Sequence, residues 1–166
     1  MSEFGVYVHI PFCRHRCDYC AFATWTDKDD IMESYVQAVI ADIERKVADG
    51  MPVADTVFFG GGTPTRLDPQ LLASIVKAIP VSAQAEITIE CNPDDVTPEM
   101  MRVYAAAGVN RISMGVQSMV TSVLKALNRT HDPANVEKAI AAVRSANITS
   151  INLDLIYGVH GESLDD

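Results

Sequence analysis

The stretch YVHIPFCRHRCDYCAF, Tyr7 to Phe22, decides how the rest of the chain is read. It joins a short β-branched run to three of the four cysteines, Cys13, Cys17 and Cys20, in the spacing C-x3-C-x2-C. Three thiolates this close leave one position of a tetrahedral metal, or one iron of a four-iron cluster, without a protein ligand. An open position is where chemistry takes place. The residues alone leave two readings standing: a cluster loop, or a structural zinc knuckle completed by His9 or His15, without a second CxxC.

Outward from this loop the chain alternates strand and helix. Gly5 to Ile10 alternates Val6, Val8 and Ile10 with Tyr7 and His9 and is stopped by Pro11, which predicts a first strand. From about Asp29 to Asp49, apolar residues recur at Val36, Val39, Ile40, Ile43 and Val47 with Gly50 after them, an amphipathic helix with its stop signal. Thr56 to Phe59 predicts a second strand ending in Gly60-Gly61-Gly62-Thr63-Pro64. Three further helices announce themselves alike, at Asp68-Pro69, Thr97-Pro98 and Asp132-Pro133, each a capping side chain before a proline at the first helical position. Strand-like runs lie at Ala85 to Glu90, Asn110 to Gly115 and Thr149 to Leu155, and a short helix is expected over Ser118 to Leu127. With no hairpin signal between strands, the order predicts an α/β fold: a parallel sheet of about five strands with four helical crossovers.

The 166 residues suit a single domain spanning 1–166, and a formal charge of -9 gives no basic footprint for nucleic acid and no polybasic membrane patch. There is no transmembrane segment of ~20 apolar residues and no signal-peptide pattern at the N-terminus, so the chain reads as cytoplasmic. In a reducing compartment clustered cysteines are ligands or catalysts before they are disulfides.

In parallel β/α folds, sites form at the carboxyl ends of the strands. Here those ends carry the cysteine loop, Gly60 to Thr63, Glu90-Cys91-Asn92-Pro93, Gln117, and Asp154 to Gly158. The glycines expose backbone N–H groups and permit close ligand approach; no Lys-Ser/Thr follows, so they form no Walker loop. Glu90 points inward by alternation and needs a partner or a cationic ligand. Gln117, Arg129 and Asp154 together offer an amide, a fixed cation and a carboxylate, enough to hold an amino acid and a ribose. Cys91 alternates away as a small buried hydrophobe, Tyr104 and Tyr157 read as packing residues, and Trp25 has no assignment.

The cysteine loop with Tyr19 before its third cysteine, followed by GGGTP, resembles a radical S-adenosylmethionine (SAM) protein. More narrowly, YVHIPFC, GGGTPT, ECNP, GVQS, LNRTH and INLDLIYG resemble the oxygen-independent coproporphyrinogen III oxidase-like group along essentially the whole chain. The resemblance implies an incomplete parallel (β/α)6 barrel, open on one side. It implies that Cys13, Cys17 and Cys20 hold a [4Fe-4S] cluster whose fourth iron is chelated by SAM, cleaved on reduction to a 5′-deoxyadenosyl radical. Tyr19, within the cluster loop, would be a cofactor-binding residue; Tyr7, Gly61 and Glu90 would contact SAM, Gly62 and Thr63 would line its pocket, and Gln117, Arg129 and Asp154 would form a second SAM site. Implied partners are heme or porphyrin, an electron donor such as flavodoxin or ferredoxin, and heme-acceptor proteins.

One departure selects the branch. True oxidases of the group carry another cysteine two residues after the third cluster cysteine, where this chain has Phe22. That substitution resembles the HemW-type branch of heme chaperones, with anaerobic decarboxylation of coproporphyrinogen as the alternative. A second departure is Gly158-Val159-His160-Gly161 where the group reads Gly-Leu-Pro-Gly; His160 reads as a solvent-facing loop histidine. The chain resembles an N-terminal fragment, without the C-terminal region that carries the branch's heme site. An unpaired fifth-strand edge would then make the isolated chain poorly soluble or oligomeric.

Overall fold

The computed structural model describes residues 4–163. Five strands, β1 (Gly5–Ile10), β2 (Ala54–Gly61), β3 (Val81–Cys91), β4 (Arg111–Gln117) and β5 (Ser150–Leu155), form one sheet in sequence order. Every neighbouring pair is parallel. The crossovers are α1 (Met32–Ala48), α2 (Pro69–Ala78), α3 (Pro98–Ala107) and, between β4 and β5, the short α4 (Thr121–Ala126) and α5 (Pro133–Ser145). Among the described residues the sheet runs from β1 to β5 without closing, as expected of an incomplete barrel.

The three Pro-led helices start where their caps place them. The side chains of Asp68, Thr97 and Asp132 accept hydrogen bonds from the backbone N–H groups of Gln70, Met100 and Ala134 at 2.8, 3.2 and 2.9 Å. Each contact satisfies one of the N–H groups that a helix start leaves orphaned. At the other end of α3, Gly108 takes a left-handed φ of 105° and stops the helix, as its position in the sequence predicts. Strand β3 begins four residues before its predicted start, because Val81 pairs with Ala54 of β2 across a register shift that local sequence does not reveal.

The two faces of the sheet differ in kind. Ile10, Phe59, Ile89, Ile112 and Met114 alternate onto one face and are fully buried beneath the helices with Leu72, Ile75, Met101 and Val143. Each such side chain stabilises the fold by about 1.5–3 kcal/mol. The strand register carries Tyr7, His9, Phe58, Thr88, Glu90, Ser113, Gly115, Asn152 and Asp154 to the opposite face. Among the described residues that face is mostly polar. Cys91 falls on the helix side, 5% exposed, as alternation from Glu90 requires. Tyr104 is wholly buried and packs as expected, whereas Tyr157 is 91% exposed. The packing role expected of Tyr157 is therefore corrected: it follows the end of β5, where no described element covers it.

Candidate functional site

The cysteine loop is tied down at both ends. Phe12 and Trp25 form an isolated parallel bridge, with the Cys13 N–H donating to the Trp25 carbonyl at 3.0 Å and the Trp25 N–H to the Pro11 carbonyl at 2.8 Å. Trp25, unassigned from sequence, thus closes the loop through its backbone. Within it the Cys20 N–H donates to the Cys17 carbonyl at 3.1 Å, curling the two cysteines toward each other. All four cysteines are free thiols.

Loop and strand ends together enclose a cavity of about 290 Å³. Its lining includes Cys13, Cys17, Tyr19 and Cys20 from the loop, Gly61, Gly62 and Thr63 after β2, and Glu90, Gln117, Arg129 and Asp154. Every sequence-predicted site residue except Tyr7 lines it. Tyr7 lies one step back on β1: its ring stacks on Phe58 with centroids 6.1 Å apart, and its hydroxyl meets His9 Nδ1 at 3.3 Å. Phe22 lies at the cavity wall, 60% exposed.

Each glycine after β2 has its own steric reason. A Cβ on Gly60 would meet Glu90 Oε2 at 2.7 Å, one on Gly61 the His9 ring at 2.3 Å, and one on Gly62 the Phe12 carbonyl oxygen at 2.7 Å. The run is therefore no generic turn. It lets the strand end slide between the Glu90 carboxylate, the His9 imidazole and the backbone entering the cysteine loop. Gly62 N–H donates to the Ile10 carbonyl and Thr63 N–H to the Phe12 carbonyl, both at 2.8 Å, so this stretch continues the ladder of β1 into the loop.

Thr63 Oγ1 lies 3.7 Å from Cys13 Sγ and donates toward it. Burial pushes the Cys13 thiol up and the Thr63 hydroxyl pulls it down. Glu90 accepts the Gly61 N–H at 3.2 Å. Its carboxyl is raised above the ordinary value, chiefly by burial, with the Gly61 hydrogen bond opposing and the negative charge of Asp154 adding to the rise. Asp154 is held by two residues that sequence reading missed. Ser113 Oγ donates to its Oδ2 at 3.2 Å and Asn152 Nδ2 to its Oδ1 at 2.7 Å. Both were accessible to strand alternation: Asn152 is two residues before Asp154, and Ser113 pairs with Asn152 in register.

Arg129 reaches in from the segment after α4. Its Nη2 donates to the Gly115 carbonyl at 2.7 Å, its Nε to His131 Nδ1 at 3.3 Å and its Nη1 toward Cys17 Sγ at 3.7 Å. Asn128, in a left-handed conformation, ties the same segment to the loop by donating to Asp18 Oδ1 at 2.9 Å. Gln117 also has a left-handed φ, 63°, at the end of β4. A non-glycine residue held there is a strained backbone of the kind found at ligand sites.

The donor set can be compared with the two metal readings. Among the described residues no group of three or more His, Cys, Asp or Glu side chains converges so as to hold a single metal ion. His9, one candidate fourth zinc ligand, is engaged through Nε2 with the Ala23 carbonyl at 2.8 Å. Three thiols lining one cavity, with the Thr63 hydroxyl donating toward Cys13, fit a cubic iron–sulfur cluster, whose thiolates need not converge on a single atom; the N–H groups of Gly61 and Gly62, expected from sequence to be exposed, are instead taken by Glu90 and the Ile10 carbonyl.

The profile of the Radical SAM superfamily matches residues 7–166. The chain is 39% identical to the heme chaperone HemW of Escherichia coli over 100% of its own length and 46% of that protein's. It is 38% identical to the HemW of Mycobacterium tuberculosis over 99% of its own length and 44% of the relative's. The chain thus spans less than half the length of the curated relatives it matches. Among solved structures it superposes on the coproporphyrinogen III oxidase HemN of Escherichia coli, described as a radical SAM enzyme, with a TM-score of 0.83 and 29% identity, over 95% of this chain and 38% of that one. The tryptophan-bound radical SAM methyltransferase TsrM of Kitasatospora setae shares the fold, with a TM-score of 0.68 at 14% identity, over 96% of this chain and 31% of that one.

Proposed function

The chain belongs to the radical SAM superfamily, and we propose that Cys13, Cys17 and Cys20 hold a [4Fe-4S] cluster, that SAM occupies the cavity beside it, and that the full-length protein delivers heme to apoproteins. The observation that carries the cofactor reading is the cavity itself: three thiols from one loop share it with the glycine run, Glu90, Gln117 and Asp154 from the ends of the four other strands and with Arg129 from the segment after α4. When bound and reduced, the cluster supplies one electron to the sulfonium of SAM.

The residues divide the work by charge. Glu90 is an acceptor with room for a cationic amino group. Asp154, fixed by Ser113 and Asn152, suits ribose hydroxyls. Gly61, Gly62 and Thr63 line the cavity at the end of β2, with the glycines set by the close approach of His9 and the Phe12 carbonyl behind them. Gln117 and Arg129 present donors to an anionic group, and we keep for them, with Asp154, the reading of a second SAM position. Tyr7, outside the cavity, supports this wall by stacking on Phe58 and holding His9.

The chaperone reading rests on the HemW relatives and on Phe22, an exposed aromatic ring where the oxidases have a thiol. The likeness to HemN favours a second reading, oxidative decarboxylation of coproporphyrinogen. Flavodoxin or ferredoxin as electron donor, heme-acceptor proteins as partners and a reducing cytoplasmic setting complete the first proposal. Among the described residues, no helix is long and apolar enough to cross a membrane.

The test is anaerobic reconstitution of the full-length protein with iron and sulfide. It should yield a brown protein with equal iron and acid-labile sulfide, whose reduced electron paramagnetic resonance (EPR) signal changes when SAM is added. A colourless protein that retains zinc refutes the cluster. Heme transfer to an apoprotein without porphyrinogen turnover supports the chaperone; robust porphyrinogen decarboxylation overturns it.

A further inference from the structure

We infer that His131 is a positioning residue that sets the reduction potential of the cluster, by holding the Arg129 guanidinium against the Cys17 sulfur. The inference rests on the cluster reading above. Arg129 is gripped along three of its edges by three different parts of the fold: the β4 backbone at Gly115, His131, and Cys17 of the loop. The Gly115 contact alone leaves the planar group free to pivot about that carbonyl. His131 Nδ1 supplies the second fixed point, and two fixed points leave Nη1 one direction, toward Cys17 Sγ.

His131 is buried, 4% exposed, and the Val116 backbone accepts a hydrogen bond from its ring. Because Arg129 Nε–H donates to Nδ1, the proton of the neutral ring sits on Nε2. An apolar side chain of similar size would fill the space but would give Arg129 no acceptor. Burial and the charge of Arg129 disfavour protonation of the ring, and Asp94, Asp132 and the backbone hydrogen bond at Val116 oppose them. A protonated Nδ1 would set two donors face to face.

A cation and an N–H donor at a ligating sulfur favour the reduced, more negative cluster and so raise its potential. Losing them shifts the couple [4Fe-4S]²⁺ + e⁻ → [4Fe-4S]⁺ to lower potential. The experiment is a dithionite titration of the reconstituted full-length protein monitored by EPR, on wild type, Arg129→Gln, His131→Leu, His131→Asn and the double variant Arg129→Gln/His131→Leu.

His131→Leu and Arg129→Gln should both lower the ratio of reduced to oxidised cluster at fixed potential about tenfold, equivalent to about 59 mV for one electron. His131→Asn, whose Oδ1 falls near the place of Nδ1, should restore the wild-type value, and the double variant should fall no further than Arg129→Gln. A His131→Leu protein with lowered melting temperature but unchanged potential overturns the inference. So does a double variant whose shifts simply add. If His131→Leu does not fold, His131→Gln takes its place, since its acceptor is displaced by one methylene. A wild-type protein that assembles no cluster refutes the reading beneath; one that assembles it without these shifts refutes only the role of His131.

Discussion

Gly61→Ala separates two costs that the structure superimposes at one atom. Gly61 has φ +110°, outside the range of ordinary L residues, and the added methyl carbon would stand 2.3 Å from His9 Cε1 and 2.4 Å from Nδ1. The imidazole cannot swing away cheaply, because Nε2 is bonded to the Ala23 carbonyl at 2.8 Å and Nδ1 faces the Tyr7 hydroxyl at 3.3 Å. Backbone strain of this kind costs roughly 1–3 kcal/mol, and forcing a packed ring aside roughly another 1–3 kcal/mol. The central expectation is a loss of about 4 kcal/mol, which at a urea m-value of about 2 kcal/mol/M lowers the unfolding midpoint by about 2 M. The discriminating arm is Gly61→Ala in a His9→Ala background. Removing the ring removes the steric half and leaves the φ half, so the same substitution should there cost about 2 kcal/mol. An equal cost with and without His9 would refute the steric argument. An unchanged midpoint for Gly61→Ala alone would refute both parts.

Four further outcomes follow from the same geometry. Alanine at Cys13, Cys17 or Cys20 should abolish iron retention measured by colorimetric assay, whereas Cys91→Ala, on the helix face, should keep the iron and lose about 1 kcal/mol of stability. Glu90→Gln should weaken SAM binding about 10- to 100-fold by calorimetry, the worth of one charge-assisted contact. In the ligand-free protein the raised Glu90 pKa means that the folded state binds more protons than the unfolded one. Stability should therefore fall as pH rises from the ordinary carboxylate value through the raised one, and Glu90→Gln should flatten that limb of a denaturation series. His131 has the opposite sign: its pKa is lowered by burial and by Arg129. Its contribution is present above the unfolded histidine value and lost as pH falls through that value toward the lowered one, a slope that His131→Asn should remove.

What was legible in the sequence was what short-range chemistry decides. Asp68-Pro69, Thr97-Pro98 and Asp132-Pro133 start helices because cap and proline act within three residues of each other, and all three caps are formed. The inward aim of Glu90 and the outward aim of Cys91 follow from the two-residue period of a strand. Contacts fixed by tertiary closure were not legible. The Arg129 contact to Cys17 spans 112 residues of sequence, and the early start of β3 depends on a partner strand. Tyr157 misled because an aromatic residue after an apolar strand usually packs, and among the described residues nothing lies over it. The meaning of Gly60, Gly61 and Gly62 was legible only as permissiveness; which atom each one avoids needed the fold.

The cavity's charges are arranged unequally, and under the SAM reading proposed above each ligand group would have its own place. Arg129 is already engaged on three edges, and Asp154 has both oxygens engaged by Ser113 and Asn152. Glu90 receives one backbone N–H, at a long 3.2 Å, and is penalised by burial and by Asp154. A half-buried carboxylate with spare acceptor capacity beside a second carboxylate is the part of the site whose energy falls most when a cation arrives. An ammonium or sulfonium seated there offsets the desolvation of Glu90 and screens its repulsion from Asp154 in the same step. An anionic group meets no such demand at this wall and gains more near Arg129, on the side of the cysteine loop. The polarity of the pocket, carboxylates on the strand wall and a fixed cation beside the thiols, would therefore orient a zwitterionic ligand such as the SAM proposed above.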